Sequence, residues 1–160
     1  MDNDIIDSSV WYAEDPFVLT LDVASGEVDD FQHVNNVVYV GWMARAAWAH
    51  SKALGFDFIR YQELDCGFVV KRHEIDYRQA CPPDERVGVA TWISKNDGRL
   101  NLRRRFQMYG IKTQKTLAIG MSDFVTMRIT TGRACRMPVA FKEGYPARQG
   151  VESVFAATNR

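Results

Sequence analysis

The chain has 160 residues, the length of one ordinary domain. Hydrophobic residues make up 46%, enough apolar mass for a core, which excludes a chain that is disordered throughout. Lys plus Arg and Asp plus Glu both count 20, so the formal net charge is zero and bulk attraction to nucleic acid or to an anionic membrane is not expected.

Residues 1–15 read as an N-terminal arm. Their acidic, interrupted sequence has neither the basic start nor the apolar run of a signal peptide. No stretch approaches the ~20 apolar residues of a membrane span, so a cytoplasmic protein is the expectation. Residues 17–23 (FVLTLDV) alternate apolar and polar side chains and predict a strand. A polar loop follows and ends in Asn35-Asn36, whose short amides suit a helix N-cap.

Residues 37–54 predict the one long helix, with Gly55 as its C-cap. Val40, Gly41, Ala44, Ala47 and Ser51 form a stripe of small side chains. That stripe predicts a buried face lying close against a curved sheet. A helical turn is expected over 58–63, and then four strands over 68–77, 86–94, 99–109 and 117–129. In the second of these, Val87, Val89, Thr91 and Ile93 share a face. The turn Asn96-Asp97-Gly98 is a hairpin signal, because asparagine and glycine tolerate positive φ. In the next strand Leu100, Leu102, Phe106 and Met108 share a face that Arg104 interrupts. In the last, Leu117, Ile119, Met121, Val125, Met127 and Ile129 share one that Asp123 interrupts. If these strands pair as a hairpin, Arg104 and Asp123 are expected to meet as a buried ion pair, with a role near a substrate pocket as the other reading. Residues 138–160 read as a short helix and a frayed tail. Strand, long helix and then four strands is an α+β order, a single domain over 1–160, and not a βαβ pattern. No GxGxxG or P-loop supports a nucleotide fold.

Cys66, Cys81 and Cys135 are odd in number and lack CxxC spacing or a histidine cluster. They read as free or buried thiols rather than zinc ligands, and no metal is expected. Of the histidines, His50 and His73 read as structural or exposed. Arg72, Arg103, Arg105, Arg128, Arg133 and Arg136 are candidates for binding phosphates, although most surface arginines are only solvated charges.

Chemistry-bearing residues gather just before the helix: Asp29, Asp30, Gln32, His33, Asn35 and Asn36. A carboxylate and an imidazole four residues apart can meet in a compact turn. The carboxylate then orients the imidazole or activates a water, while the imidazole exchanges protons. Unpaired N–H groups at the helix start suit an anion or a developing oxyanion. The same residues also fit an Asx turn and N-cap that merely begin the helix, and the residues alone leave both readings open.

The run from Asp29 to Trp42, DDFQHVNNVVYVGW, resembles the signature of hotdog-fold thioesterases of the 4-hydroxybenzoyl-CoA thioesterase type, and especially of acyl-ACP thioesterases. Ile75-Asp76-Tyr77-Arg78 followed by Cys81 is a weaker echo of the same family. The resemblance implies a curved antiparallel sheet wrapped around one long central helix. It implies hydrolysis of an acyl-CoA or acyl carrier protein thioester to a free acid and a thiol, without a cofactor. It also implies a homodimer or dimer of dimers with sites built from both chains, and neither nucleic acid nor membrane as partner. Asp29 falls where relatives have a general base or nucleophile, His33 on the catalytic histidine of the acyl-ACP enzymes, and Asn36 where a backbone N–H polarises the thioester carbonyl. Asn35, Tyr39 and Trp42 take the substrate-binding positions around that mouth. Two departures stand out. Phe31 replaces a functional asparagine of the acyl-ACP enzymes, and Ala80 replaces an acidic residue before the cysteine. A hotdog 3-hydroxyacyl-thioester dehydratase and a non-catalytic acyl-CoA-binding hotdog protein are the alternatives.

Overall fold

The computed structural model describes residues 5–158, so the extreme ends of the expected arm and tail lie outside the described residues. In chain order the elements are β1 (Phe17–Asp22), α1 (Val38–Ala53), α2 (Phe58–Leu64), β2 (Gly67–Tyr77), β3 (Arg86–Asn96), β4 (Asn101–Gly110), β5 (Lys115–Met127), α3 (Val139–Gly144) and α4 (Val151–Thr158). The strands form one antiparallel sheet in the order β1-β3-β4-β5-β2. β3, β4 and β5 follow one another through tight turns. At the first of these turns, Asp97 Oδ1 accepts from the amides of Arg99, Leu100 and Asn101 (2.8, 2.8 and 2.9 Å). β1 and β2 are the two edges, and α1 crosses one face between them. This is the α+β hotdog arrangement that the resemblance implies.

α1 buries Tyr39, Trp42, Met43, Ala46 and Ser51. The first four fall at the i, i+3, i+4, i+7 spacing of one helix face. They pack on Leu21, Val87, Val89, Phe106, Met108 and Leu117 of the sheet. The expected small-residue stripe is not the buried face: Gly41 and Ala44 are exposed in the single chain. The sheet curves enough that its concave side needs bulky side chains to fill it. Close approach is provided instead by the sheet, since a Cβ on Gly120 would lie 2.9 Å from Met43 Sδ.

The expected apolar face of β5 is also redistributed. Met108 pairs with Ala118 and Tyr109 with Thr116, leaving Leu117 as an extra residue in a bulge. Beyond it Gly120, Ser122 and Phe124 share the face turned toward α1 and the cavity beneath it, while Ile119 belongs to a separate core on the outer face. Asp123 therefore meets Arg103, its direct cross-strand partner, and not Arg104. Arg103 Nε donates to Asp123 Oδ1 over 2.6 Å, and Nη2 to Oδ2 over 2.9 Å. The one-residue offset between Arg103 and Arg104 sends their side chains to opposite faces of the sheet.

Both chain ends cover the outer face. Trp11 of the expected arm and Val151 and Phe155 of α4 pack on Ala90, Trp92 and Ile119. Gln107 fastens the arm by accepting from Tyr12 N (2.8 Å) and donating to Val10 O (3.0 Å). α4 is held by Glu152, which accepts from Arg105 Nε and Nη2 (both 2.8 Å). The tail is thus a docked helix rather than a frayed end, because Val151 and Phe155 sit one helical turn apart and present one apolar stripe. With both faces covered, β3 is buried almost throughout. β2, by contrast, is largely exposed along its free edge.

Candidate functional site

The loop before α1 is built from backbone hydrogen bonds and one side-chain cap. Asp29 Oδ1 accepts from Phe31 N (2.9 Å), and Asp29 O accepts from Gln32 N (3.0 Å), with Gln32 at φ 60°. His33 O accepts from Asp29 N (2.9 Å), and Val28 and Val34 form an antiparallel bridge. The hairpin-like loop so formed is clamped from both sides. Val34 N donates to Cys81 O (3.0 Å), and Asn35 N donates to Glu27 O (2.8 Å). Glu27 in turn accepts from Ala24 N (2.9 Å) and Trp42 Nε1 (3.3 Å), fixing the loop to α1.

The helix start is capped by Asn35, which accepts from Val37 N through its side chain (3.2 Å) and from Val38 N through its carbonyl (3.0 Å). Asn36 O accepts from the Tyr77 hydroxyl (2.8 Å), and Tyr77 packs edge-on against Tyr39 at 5.0 Å. Tyr77 therefore ties the end of β2 to the mouth of the helix. Only the weak Asp-Tyr-Arg echo marked it in the sequence. Among the described residues the Asn36 N–H meets no acceptor. The first turn of α1 carries no acidic side chain to repel negative charge.

Asp29 is half-buried, while His33, Asn35 and Asn36 are exposed. Backbone pairing brings Asp29 and His33 together, but no hydrogen bond joins their side chains. Tyr39 and Trp42, expected to contact substrate, are turned into the core, where their rings pack at 4.9 Å. Both positions fall on the apolar face of α1, so they support the mouth from beneath. Phe31 is 85% exposed beside the loop. Asp30 is also exposed.

A second feature lies under the C-terminal half of α1 and was not legible in the sequence. A cavity of about 370 Å³ runs between α1, α2 and strands β2, β4 and β5. Its walls are mainly apolar, including Met43, Ala47, Phe68, Phe106 and Phe124. One stretch is polar: Ser51, Tyr61, His73, Arg104 and Ser122. His73 Nδ1 and Ser122 Oγ are 2.7 Å apart, and Tyr61 and Tyr145 join hydroxyls at 2.5 Å. His73, read as structural or exposed, thus borders the cavity.

The arginines considered for phosphate binding divide clearly. Arg103 and Arg105 are committed to Asp123 and Glu152, Arg72 pairs with Glu74, and Arg128 pairs with Asp65. Arg133 and Arg136 are exposed. Cys66 Sγ and Cys135 Sγ lie 3.3 Å apart as free thiols. Among the described residues no helix is long and apolar enough to cross a membrane.

Residues 23–145 match the family model described as "Thioesterase-like superfamily". No curated protein sequence matches the chain. Solved structures do. DHNA-CoA thioesterase from Staphylococcus aureus is 18% identical over 90% of this chain and 93% of its own, with a TM-score of 0.74. A Staphylococcus aureus protein solved in complex with CoA is 14% identical over 81% of each chain, also at 0.74. The 12:0-ACP thioesterase from Umbellularia californica is 22% identical over 83% of this chain and 55% of its own, at 0.71. At these identities the likeness is one of fold.

Proposed function

Because this chain belongs to the thioesterase-like superfamily, we propose that it hydrolyses an acyl thioester of CoA or of an acyl carrier protein, giving a carboxylic acid and a thiol. The observation that carries the reading is the loop at the start of α1. It presents a half-buried Asp29 carboxylate, an exposed His33 imidazole and the free Asn36 N–H at one helix mouth. An apolar cavity under the same helix offers room for an acyl group.

In this mechanism the thioester carbonyl accepts from the Asn36 N–H at the positive end of α1. That contact strengthens as the oxygen becomes an oxyanion. Asp29 acts as base toward the attacking water, or attacks the carbonyl itself. Its Oδ1 is fixed by the Phe31 amide, which holds the carboxylate in place. His33 helps move the proton to the departing thiolate or orients the water. Asn35 shapes the mouth through its cap, and Tyr39 and Trp42 brace it from the core side. No cofactor enters the scheme.

The proposed working unit is a homodimer. β2 leaves an edge of 11 residues unpaired. Apolar side chains are exposed beside it: Val69, Val70 and Tyr77 on β2, Trp48 on α1, and Phe58 on α2. Antiparallel pairing of two β2 edges about a two-fold axis sets the two α1 helices antiparallel. The mouth of one helix then comes alongside the C-terminal half of the other, where the cavity lies. Neither the Asp29 loop nor Asn36 borders the cavity within one chain, so each site would draw on both copies.

The test is release of free thiol from a panel of straight-chain and aromatic acyl-CoA and acyl carrier protein thioesters, together with light scattering. Hydrolysis by a dimer supports the proposal. An intact panel overturns the activity, and full turnover by a monomer overturns the shared site.

A further inference from the structure

Arg104 occupies a position that the apolar pattern of β4 assigns to the core, between Leu102 and Phe106 on the face toward α1. It is only 2% exposed. Its Nη1 donates to His50 Nδ1 over 2.7 Å, and its Nη2 to Ser51 Oγ over 3.1 Å. The Tyr145 ring lies 5.9 Å from the guanidinium carbon. The Tyr145 hydroxyl also donates to Ser51 Oγ (3.0 Å). All of these partners are neutral. Among the described residues no carboxylate pairs with Arg104. Burial pulls its pKa down to about 10, with the Tyr145 and Tyr61 hydroxyls acting the other way, so it stays cationic at neutral pH.

A buried cation without a countercharge costs several kcal/mol, and neutral dipoles offset only part of that. The two arginines that flank it on β4 point to the opposite, outer face, and each has its acid: Arg103 has Asp123 and Glu152, and Arg105 has Glu152. Arg104 instead borders the cavity, next to Ser51 and Tyr61 and across from the His73–Ser122 pair. The polar groups converge on one part of an otherwise apolar chamber, which is how small-molecule sites fix orientation.

We infer that Arg104 is the anchor for a carboxylate at the far end of the acyl group, so that the substrate is the mono-thioester of a dicarboxylic acid. This rests on the thioesterase reading and adds the substrate class. The methylene stem lies along Met43, Phe68, Phe106 and Phe124. The distal carboxylate accepts from the guanidinium and supplies the missing negative charge. The Ser51 hydroxyl, which accepts from Arg104 and Tyr145 and keeps its own proton, and the Ser122 hydroxyl, when His73 Nδ1 donates to it, are placed to complete its hydrogen bonds. Arg104 touches the substrate remote from the reacting carbonyl, so it governs selectivity and not the bond-breaking step.

The experiment compares succinyl-, glutaryl-, adipyl- and suberyl-CoA with straight-chain acyl-CoA of equal carbon number, on the full-length protein and on Arg104→Met and Arg104→Lys. The expected result is a preference of tenfold or more in kcat/KM for at least one dicarboxylic thioester. Arg104→Met should erase that preference chiefly through KM, and Arg104→Lys should retain part of it. Equal or better turnover of the plain acyl thioesters by the unaltered protein overturns the inference while leaving the thioesterase reading standing. If no thioester is cleaved, calorimetry with free adipate and suberate against hexanoate and octanoate separates the two claims. Selective binding of the diacids supports the anchor, and its absence overturns it. Because both comparisons are made first on the unaltered protein, failure of Arg104→Met to fold does not remove the test.

Discussion

Arg104 and His50 meet at 2.7 Å, with the guanidinium as donor and the imidazole Nδ1 as acceptor. The contact requires His50 to be neutral. Phe17 stacks on the ring at 5.0 Å, and burial, reinforced by Arg104 and Arg148, pushes the His50 pKa down to about 4. The unfolded chain binds this proton near pH 6.5, so between about 4 and 6.5 it holds more protons than the folded chain. Stability contributed here is therefore fully present above pH 6.5 and is lost as pH falls toward 4. Urea unfolding at a series of pH values should show this decline, and His50→Asn, which keeps an acceptor but cannot titrate, should flatten it. An unchanged pH profile in that variant counts against the assignment.

Asp29→Asn is expected to separate chemistry from fold. The asparagine Oδ1 can still accept from Phe31 N, so the loop and the melting temperature should persist. The carboxylate is gone, and loss of a general base or nucleophile costs roughly a hundredfold or more in turnover. Steady-state kinetics on the best thioester, with a thermal melt alongside, checks both halves. Unaltered turnover refutes the role given to Asp29.

The docked C-terminal helix makes a stability prediction. Phe155 is fully buried against Trp92 and Tyr12, with ring centroids at 5.5 and 5.9 Å. Phe155→Ala should cost about 3–5 kcal/mol in urea unfolding, as other large core truncations do. Val139→Ala, at a side chain 66% exposed, should change stability by no more than about 0.5 kcal/mol. Similar values for the two would mean that α4 is not part of the core.

Thiol reactivity offers an independent check on burial. Burial, then the neighbouring Cys135 thiol, pushes Cys66 up to about 12. Burial, then Glu85 and Glu27, does the same to Cys81. The reactive species is the thiolate, so both should resist iodoacetamide at pH 8 in the native protein and react rapidly in urea. Mass spectrometry of timed samples reads the difference. Rapid native alkylation of Cys81 would contradict its place behind the Val34 bridge.

Much of this molecule is set by local pattern. The alternation in residues 17–23 and 86–94, the hairpin at Asp97-Gly98 and the helix beginning after Asn35-Asn36 need only backbone preferences and the period of the apolar residues. The Asp29-to-Trp42 run points to the family for a similar reason, since the turn at Asp29 and the cap at Asn35 close on hydrogen bonds within that stretch, while Glu27, Tyr77 and Cys81 hold it in place from outside. Registry and sidedness belong to the tertiary structure. A single bulge at Leu117 decides that Asp123 faces Arg103, and the one-residue offset leaves Arg104 facing the helix with no acid. The small-residue stripe of α1 is visible in the sequence, but which face is buried depends on the curvature of the sheet. The cavity and its cationic corner draw on residues from α1, α2, β2, β4 and β5. They are far apart along the chain and have no common period, so only the closing of the sheet around the helix brings them together.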